Sequence, residues 1–201
     1  MFSKRVVLII FLFFFLISPK QQFDYILAES DPGSYVMKMT TNAINTLTDK
    51  STSQSEKENL FGELFDKNFD VSSISRFVLG KYWKQASLDQ KKEFIKAFRN
   101  YVVKTYSSRF SDYAGEQLKL VDFENEKNPK IFLVHTILER QDAPLIKVDW
   151  RIGKKKDKFV ILDIIIEGIS LAVTQRSEFV SVIDQNGGSV DKLISLLKEK
   201  S

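Results

Sequence analysis

Asp163 and Glu167 stand four residues apart in the apolar run Phe159 to Ser170, FVILDIIIEGIS, and Arg176 follows in the next segment. Two carboxylates on one face of a greasy strand must each be paired or lie near an edge, because an unpaired buried charge is costly. Arg176 is the expected partner in a structural ion pair. A carboxyl held in an apolar pocket can also acquire a raised pKa and act as a base, so Asp163 is the residue to consider if the chain is an enzyme. The other parts of a catalytic set are missing. His135 is the only histidine, sits in a strand pattern and has no nucleophilic serine arrangement beside it. The absence of cysteine excludes disulfides, thiol nucleophiles and Cys-based zinc sites together. There is no glycine-rich phosphate loop, no metal-ligand cluster and no repeat. No catalytic residue, metal or cofactor is therefore expected.

The run that carries these charges organises the chain. Seven of its first eight residues are apolar, mostly β-branched, and a Gly closes it, so it reads as a strand greasy on both faces. One face can lie on the ordinary core. The other needs more protein, a partner or an apolar ligand. Three further strands precede it, Gln117 to Phe123, Ile131 to Leu138 and Leu145 to Ile152, before Lys158 to Glu167. Their short connections imply an antiparallel meander. In the third, Ile146, Val148, Trp150 and Ile152 face one way, and Lys147, Asp149 and Arg151 the other.

The first half reads as helix. Asp31 can cap a helix from Pro32 to about Thr48, with Val36, Met39, Ala43 and Leu47 at helical spacing. Ser55 and Glu58 form a capping-box pattern before Leu60, Phe61, Leu64 and Phe65. Asp70 can cap a third helix that stops at Leu79-Gly80. Ser87 and Gln90 repeat the box and open a long helix to about Ser111, whose stripe is Phe94, Ile95, Phe98, Tyr101, Val102, Thr105, Tyr106 and Phe110. That stripe can be the contact to a sheet, or part of it can line a cavity. After Gly168 a helix through Phe179 and Ile183 ends at Gly187-Gly188, and Ser189 caps the last one. Helices first and strands later is an α+β pattern. The glycine breaks at Gly80 and Gly187-Gly188 are helix stops and also the places where helices could shift.

Of 201 residues, 43% are hydrophobic and 28% charged, which suits one globular domain. Seventeen Phe, six Tyr and two Trp supply large apolar volumes. Lys4 and Arg5 precede the apolar stretch Val6 to Ile17, which is short for a membrane span and the right size for an export signal. Ala28 offers the cleavage site, giving a signal peptide over 1–28 and a single domain over 29–201; the long stretch between the apolar core and Ala28 leaves an uncleaved anchor as the alternative. Cleavage there would reduce 30 basic and 26 acidic residues to 27 and 25, too even a balance for a protein that tracks nucleic acid. The basic runs Lys91-Lys92, Lys96, Arg99 and Lys154-Lys155-Lys156, Lys158 read as a solvated helix face and a hairpin turn, or as a docking patch for anionic lipid or an acidic partner.

Several segments in order resemble one family: Leu64-Phe65-Asp66, Ile74 to Gly80 with Trp83, the Phe94 to Tyr106 helix, Val148-Asp149-Trp150, and Asp163 to Leu171 followed by Arg176-Ser177-Glu178-Phe179. Together they look like the MlaC-like periplasmic phospholipid-binding proteins, the toluene-tolerance auxiliary family of the Mla transport system. The chain departs from the family pattern in two places, Phe159 where a Trp is usual and Thr174-Gln175 where Asn-Tyr is usual. The resemblance implies a curved antiparallel four-stranded sheet of NTF2-like type. N-terminal helices, one long amphipathic helix and C-terminal helices would enclose an apolar cavity with it. It implies a carrier of a diacyl phospholipid between an outer-membrane lipoprotein–porin complex and an inner-membrane ABC transporter. Phe77, Phe94, Phe98, Tyr101, Val148, Trp150, Ile164 and Ile166 are then the expected cavity-lining residues, and Asp163, Glu167 and Arg176 are a structural ion pair or a contact to the head group. Two other readings stay open, an NTF2-like envelope enzyme using a buried carboxylate and a structural envelope protein whose apolar faces are filled by its own side chains.

Overall fold

The computed structural model describes residues 31–49, 51–113, 115–141 and 143–201, the side chains of 111 and 112 excepted. The expected export signal and its cleavage at Ala28 lie outside the described residues. Among the described residues there are seven α-helices, a 3-10 turn and five strands.

Helix α1, Pro32–Leu47, starts where Asp31, in extended backbone, accepts from the amides of Gly33 and Ser34, with Pro32 in the first turn. Helix α2, Gln54–Asn68, is capped by Ser53 and not by Ser55. Ser53 has the extended backbone that lets its hydroxyl reach the amide of Glu56, whereas Ser55 is already inside the first turn. Asp70 caps α3, Val71–Leu79, which Gly80 ends at φ 59°, a left-handed conformation that favours glycine. A single turn that the sequence pattern did not suggest, α4, Tyr82–Gln85, leads to the long α5, Leu88–Ser107, which has the expected Ser87/Gln90 capping box. A 3-10 turn, Ser108–Asp112, completes it. Helices α6, Leu171–Gln185, and α7, Val190–Glu199, are capped by Ser170 and Ser189.

The strands β1, Gln117–Asn125, β2, Ile131–Glu139, β3, Ile146–Lys155, and β4, Lys158–Ile166, form the antiparallel meander in sequence order. A fifth strand, β5, Ile169–Ser170, pairs back on Ile165 and Ile166, so the sheet has five strands where four were expected. The turn between β4 and β5 is Glu167-Gly168, both at positive φ, which folds the chain back tightly enough for two more ladder pairs. Extra residues bulge the ladder at Val121 in β1 and at Leu162 in β4, which adds twist and curvature. Further along, the outer edge of β4 is covered at Ile161, whose carbonyl accepts from the Asp70 amide where α2 meets α3.

Two hydrophobic cores result. The sheet core gathers Val134, Val148, Trp150, Ile152, Phe159 and Ile161 under Val36 of α1, so the alternation of β3 places its apolar side inward as expected. The helical core gathers Val78, Leu79, Phe94, Phe98, Phe179, Ile183, Leu193 and Ile194 from α3, α5, α6 and α7. Each such side chain contributes about 1.5–3 kcal/mol by leaving water. The long helix therefore packs mainly on other helices.

Candidate functional site

The eight expected cavity residues divide between the two cores. Phe94 and Phe98 are buried and stack with ring centroids 6.0 Å apart, each edge-on to Phe179 at 5.9 Å. Tyr101 completes that group, 6.4 Å from Phe179. Val148 and Trp150 are buried in the sheet core, and their partners across the β3–β4 ladder are Ile166 and Ile164. Phe77 and Ile166 keep 41% and 38% of their surfaces exposed.

Helices α3 and α6 both touch β4, and α3 carries Ile74 against the helical core while α6 lays the Arg176 guanidinium over the Phe77 ring at 5.1 Å. Tyr106 of α5 is 38% exposed, and burial of the remainder pushes its phenol up, with Tyr101 and Glu178 adding to the rise. Ile169 of β5 and Val173, at the start of α6, are exposed as well. Phe77, Tyr106, Ile166, Ile169 and Val173 are thus apolar side chains that remain open to solvent on α3, α5, the end of β4, β5 and the start of α6. Tyr106, Ile169 and Val173 were not among the expected site residues, although Tyr106 lies in the α5 stripe and Ile169 in the apolar run Phe159 to Ser170.

Asp163 lies on the opposite side of β4 from Ile164. Its side chain is only 3% exposed, and its carboxylate accepts from Arg151 Nη1 at 2.8 Å, Ser170 Oγ at 2.6 Å and the Ala172 amide at 3.0 Å. Its ion-pair partner is therefore Arg151, not Arg176. The Leu162 bulge is the reason, since it brings Asp163 opposite Arg151. Arg151 in turn donates to Glu126. Glu167 is exposed and accepts from the Lys147 amide. A carboxylate held by three donors, two of them at the start of α6, ties that helix to the sheet. His135 lies on the same side of the sheet, with Nδ1 2.8 Å from Asp149.

At the centre of the sheet core, Trp150 Nε1 donates to Thr136 Oγ1 and Thr136 donates to the Val148 carbonyl, so both buried polar groups are satisfied. Among the described residues the buried hydroxyl of Ser75 on α3 has no hydrogen-bond partner. Among the described residues no group of three or more His, Cys, Asp or Glu could hold a metal ion, and no helix is long and apolar enough to cross a membrane.

Two surface concavities lie elsewhere. One, of about 710 Å³, runs between α2 and α5 and is lined by Glu58, Glu63, Arg99 and Lys104 among others. The other, of about 310 Å³, lies between α1 and the start of β1, with Met37, Ile44 and Leu118 in its wall. None of the eight expected residues lines either of them.

The family model described as MlaC protein matches residues 37–199. The chain is similar to the intermembrane phospholipid transport system binding protein MlaC of Haemophilus influenzae, 25% identical over 128 residues, which are 62% of this chain and 58% of that protein. The alignment thus spans less than two thirds of that relative's length. Among solved structures the chain is similar to a phospholipid-binding protein of Ralstonia solanacearum in complex with a phospholipid, with a TM-score of 0.73 and 20% identity over 85% of this chain and 96% of that one. That likeness is one of fold.

Proposed function

The chain belongs to the MlaC protein family, and from that premise we propose that it is an exported, periplasmic carrier that takes a phospholipid from one membrane complex to another. Its acyl tails enter the seam between the helical and the sheet cores. The single observation that supports this reading is that the buried apolar residues form two separate cores, while Phe77 on α3, Tyr106 on α5 and Ile166 at the end of β4 are each more than a third exposed. A protein that fills its own interior has no reason to leave aromatic rings open at such a border.

The energetics require deep burial. Two acyl chains carry about 28 methylenes, and at ~0.8 kcal/mol each their exposure would cost roughly 20 kcal/mol. The α1–β1 groove, about 310 Å³, is at the small end of ligand sites. Loading therefore separates α3 and α6 from β4, and Phe77, Tyr101, Ile164 and Ile166 become the wall. Phe94, Phe98, Val148 and Trp150 back that wall from the two cores. Arg176, exposed beside Phe77, is the cation placed for the phosphate of the head group. The glycines at Gly80 and Gly187-Gly188, all at positive φ, end helices that have to move. Partner complexes of the Mla type in the outer and inner membranes would load and unload it.

A photoreactive residue placed at 77, 106 or 166 tests the site directly. Illumination in the presence of phospholipid vesicles should link lipid to each of these, and not to a photoreactive residue at Leu88, which is exposed far from the seam on α5. Equal labelling at all four positions would contradict the assignment. The enzymatic reading is disfavoured by the three donors that occupy Asp163. Asp163→Asn should leave no turnover to lose.

A further inference from the structure

The lysines that carriage does not use converge on one end of the sheet. The β1–β2 turn and the β3–β4 turn lie side by side there, joined by a hydrogen bond from the Lys154 amide to the Lys130 carbonyl at 2.8 Å. Lys127, Lys130, Lys154, Lys156 and Lys158 are all exposed on this tip. Among the described residues none of them has a salt bridge, while the acids nearby are engaged: Asp70 with Lys155 at 3.1 Å and Glu126 with Arg151 at 2.7 Å. Asp157 is the acid left at the apex. Lys154 stands over the Phe159 ring at 5.6 Å, which leaves its ammonium at the surface.

Lys156 adds a second, independent sign. Its φ is 56°, in the left-handed region where a hairpin turn takes Gly, Asn or Asp at least cost. A side chain kept at a strained position points to a use for that side chain.

We infer that this lysine tip is a docking site for an anionic lipid bilayer. The tip consists of lysines on two polar turns, without an aromatic or aliphatic anchor. Protein–protein contacts are depleted in lysine and depend on such anchors, whereas a layer of phosphate head groups is a diffuse negative surface that needs only clustered positive charge. The tip stands at the Lys158 end of β4 and the seam opens at the Ile166 end, a strand length of about 27 Å away. Docking by the tip therefore holds the carrier at a membrane surface while the seam stays free. This inference does not depend on lipid entering the seam.

The test uses the protein in its natural processed form, with vesicles of phosphatidylcholine alone or with about 30% phosphatidylglycerol. Co-sedimentation should occur with the mixed vesicles and not with phosphatidylcholine. It should fall steeply between about 50 mM and about 300 mM salt. The variant Lys127→Gln/Lys130→Gln/Lys156→Gln/Lys158→Gln should lose at least about tenfold in affinity. A variant with the same change of charge elsewhere, Lys38→Gln/Lys84→Gln/Lys92→Gln/Lys96→Gln, should bind as the parent does. Lys156→Gly should melt at a higher temperature and bind more weakly, which separates docking from folding. Equal loss in both quadruple variants would reduce the effect to net charge and overturn the inference. So would binding to both vesicle types alike, no binding at all, or loss of a protein partner with vesicle binding unchanged. The phospholipid content of the purified tip variant should equal that of the parent, so a failure here is distinct from a failure of carriage.

Discussion

The helical core is closed and aromatic, with Phe94, Phe98 and Phe179 in mutual contact and Leu79, Ile183 and Leu193 at 0–2% exposure. The sheet core contains Val134, Ile152 and Ile161 at 0%, yet its apolar face runs on to Leu120, Phe123 and Ile166, each 38–43% exposed. A helix bundle can seal its interior because each apolar stripe meets another. A sheet presents a whole face, and α1 with the α2–α3 junction covers only part of it. On the function proposed above, the difference assigns the apolar ligand to the side of the sheet, where a face is left over, and not to the interior of the bundle.

That comparison can be broken by mutation. Phe94→Ala removes a fully buried ring from the closed core and should destabilise the protein by about 3–5 kcal/mol, read from urea unfolding. Asp163→Ala leaves Arg151 without its buried partner and unties the start of α6 from β4, so a loss of about 3 kcal/mol is expected. Gly80→Ala puts a methyl at φ 59° and within 3.1 Å of Arg176 Nε, which should cost about 1–2 kcal/mol. Phe77→Ala, on the open border, should cost less than about 1 kcal/mol and still reduce retained phospholipid. A large stability loss there with unchanged lipid would reverse the roles given to core and border.

The smallest effects are in pH. On the bundle side, the Tyr82 and Lys81 hydrogen bonds hold Asp184 below its ordinary value of 3.8. Its contribution to stability is full above that value and is lost as the pH falls further, through the lowered folded-state pKa. Asp184→Asn should flatten the acid limb of a plot of melting temperature against pH. On the sheet side, burial pushes Tyr35 up from 10.0 to about 12. Its contribution is full below pH 10 and is lost as the pH rises toward 12, and Tyr35→Phe should remove that alkaline loss.

Much of the fold was legible because local signals agreed with it. The Asp31, Asp70, Ser87 and Ser189 caps begin helices as their residue types suggest, and β3 alternates as its sequence does. The site was less legible, for two physical reasons. With the tight turn after Lys155 pairing Lys155 with Lys158, a regular ladder would set Arg151 opposite Leu162. The bulge sets it opposite Asp163, and nothing in a run of β-branched residues marks where a bulge falls. The α5 stripe gave no indication whether its rings face sheet or helix. Phe94 and Phe98 answer to Phe179, a contact between residues far apart in the chain that periodicity alone does not reveal.

Native mass spectrometry of the exported protein, purified without detergent, tests the central claim most directly. The account predicts a bound mass equal to one phospholipid, released on denaturation and identified by organic extraction. A protein that flies at its bare sequence mass, and that takes up no phospholipid when incubated with vesicles, would contradict it.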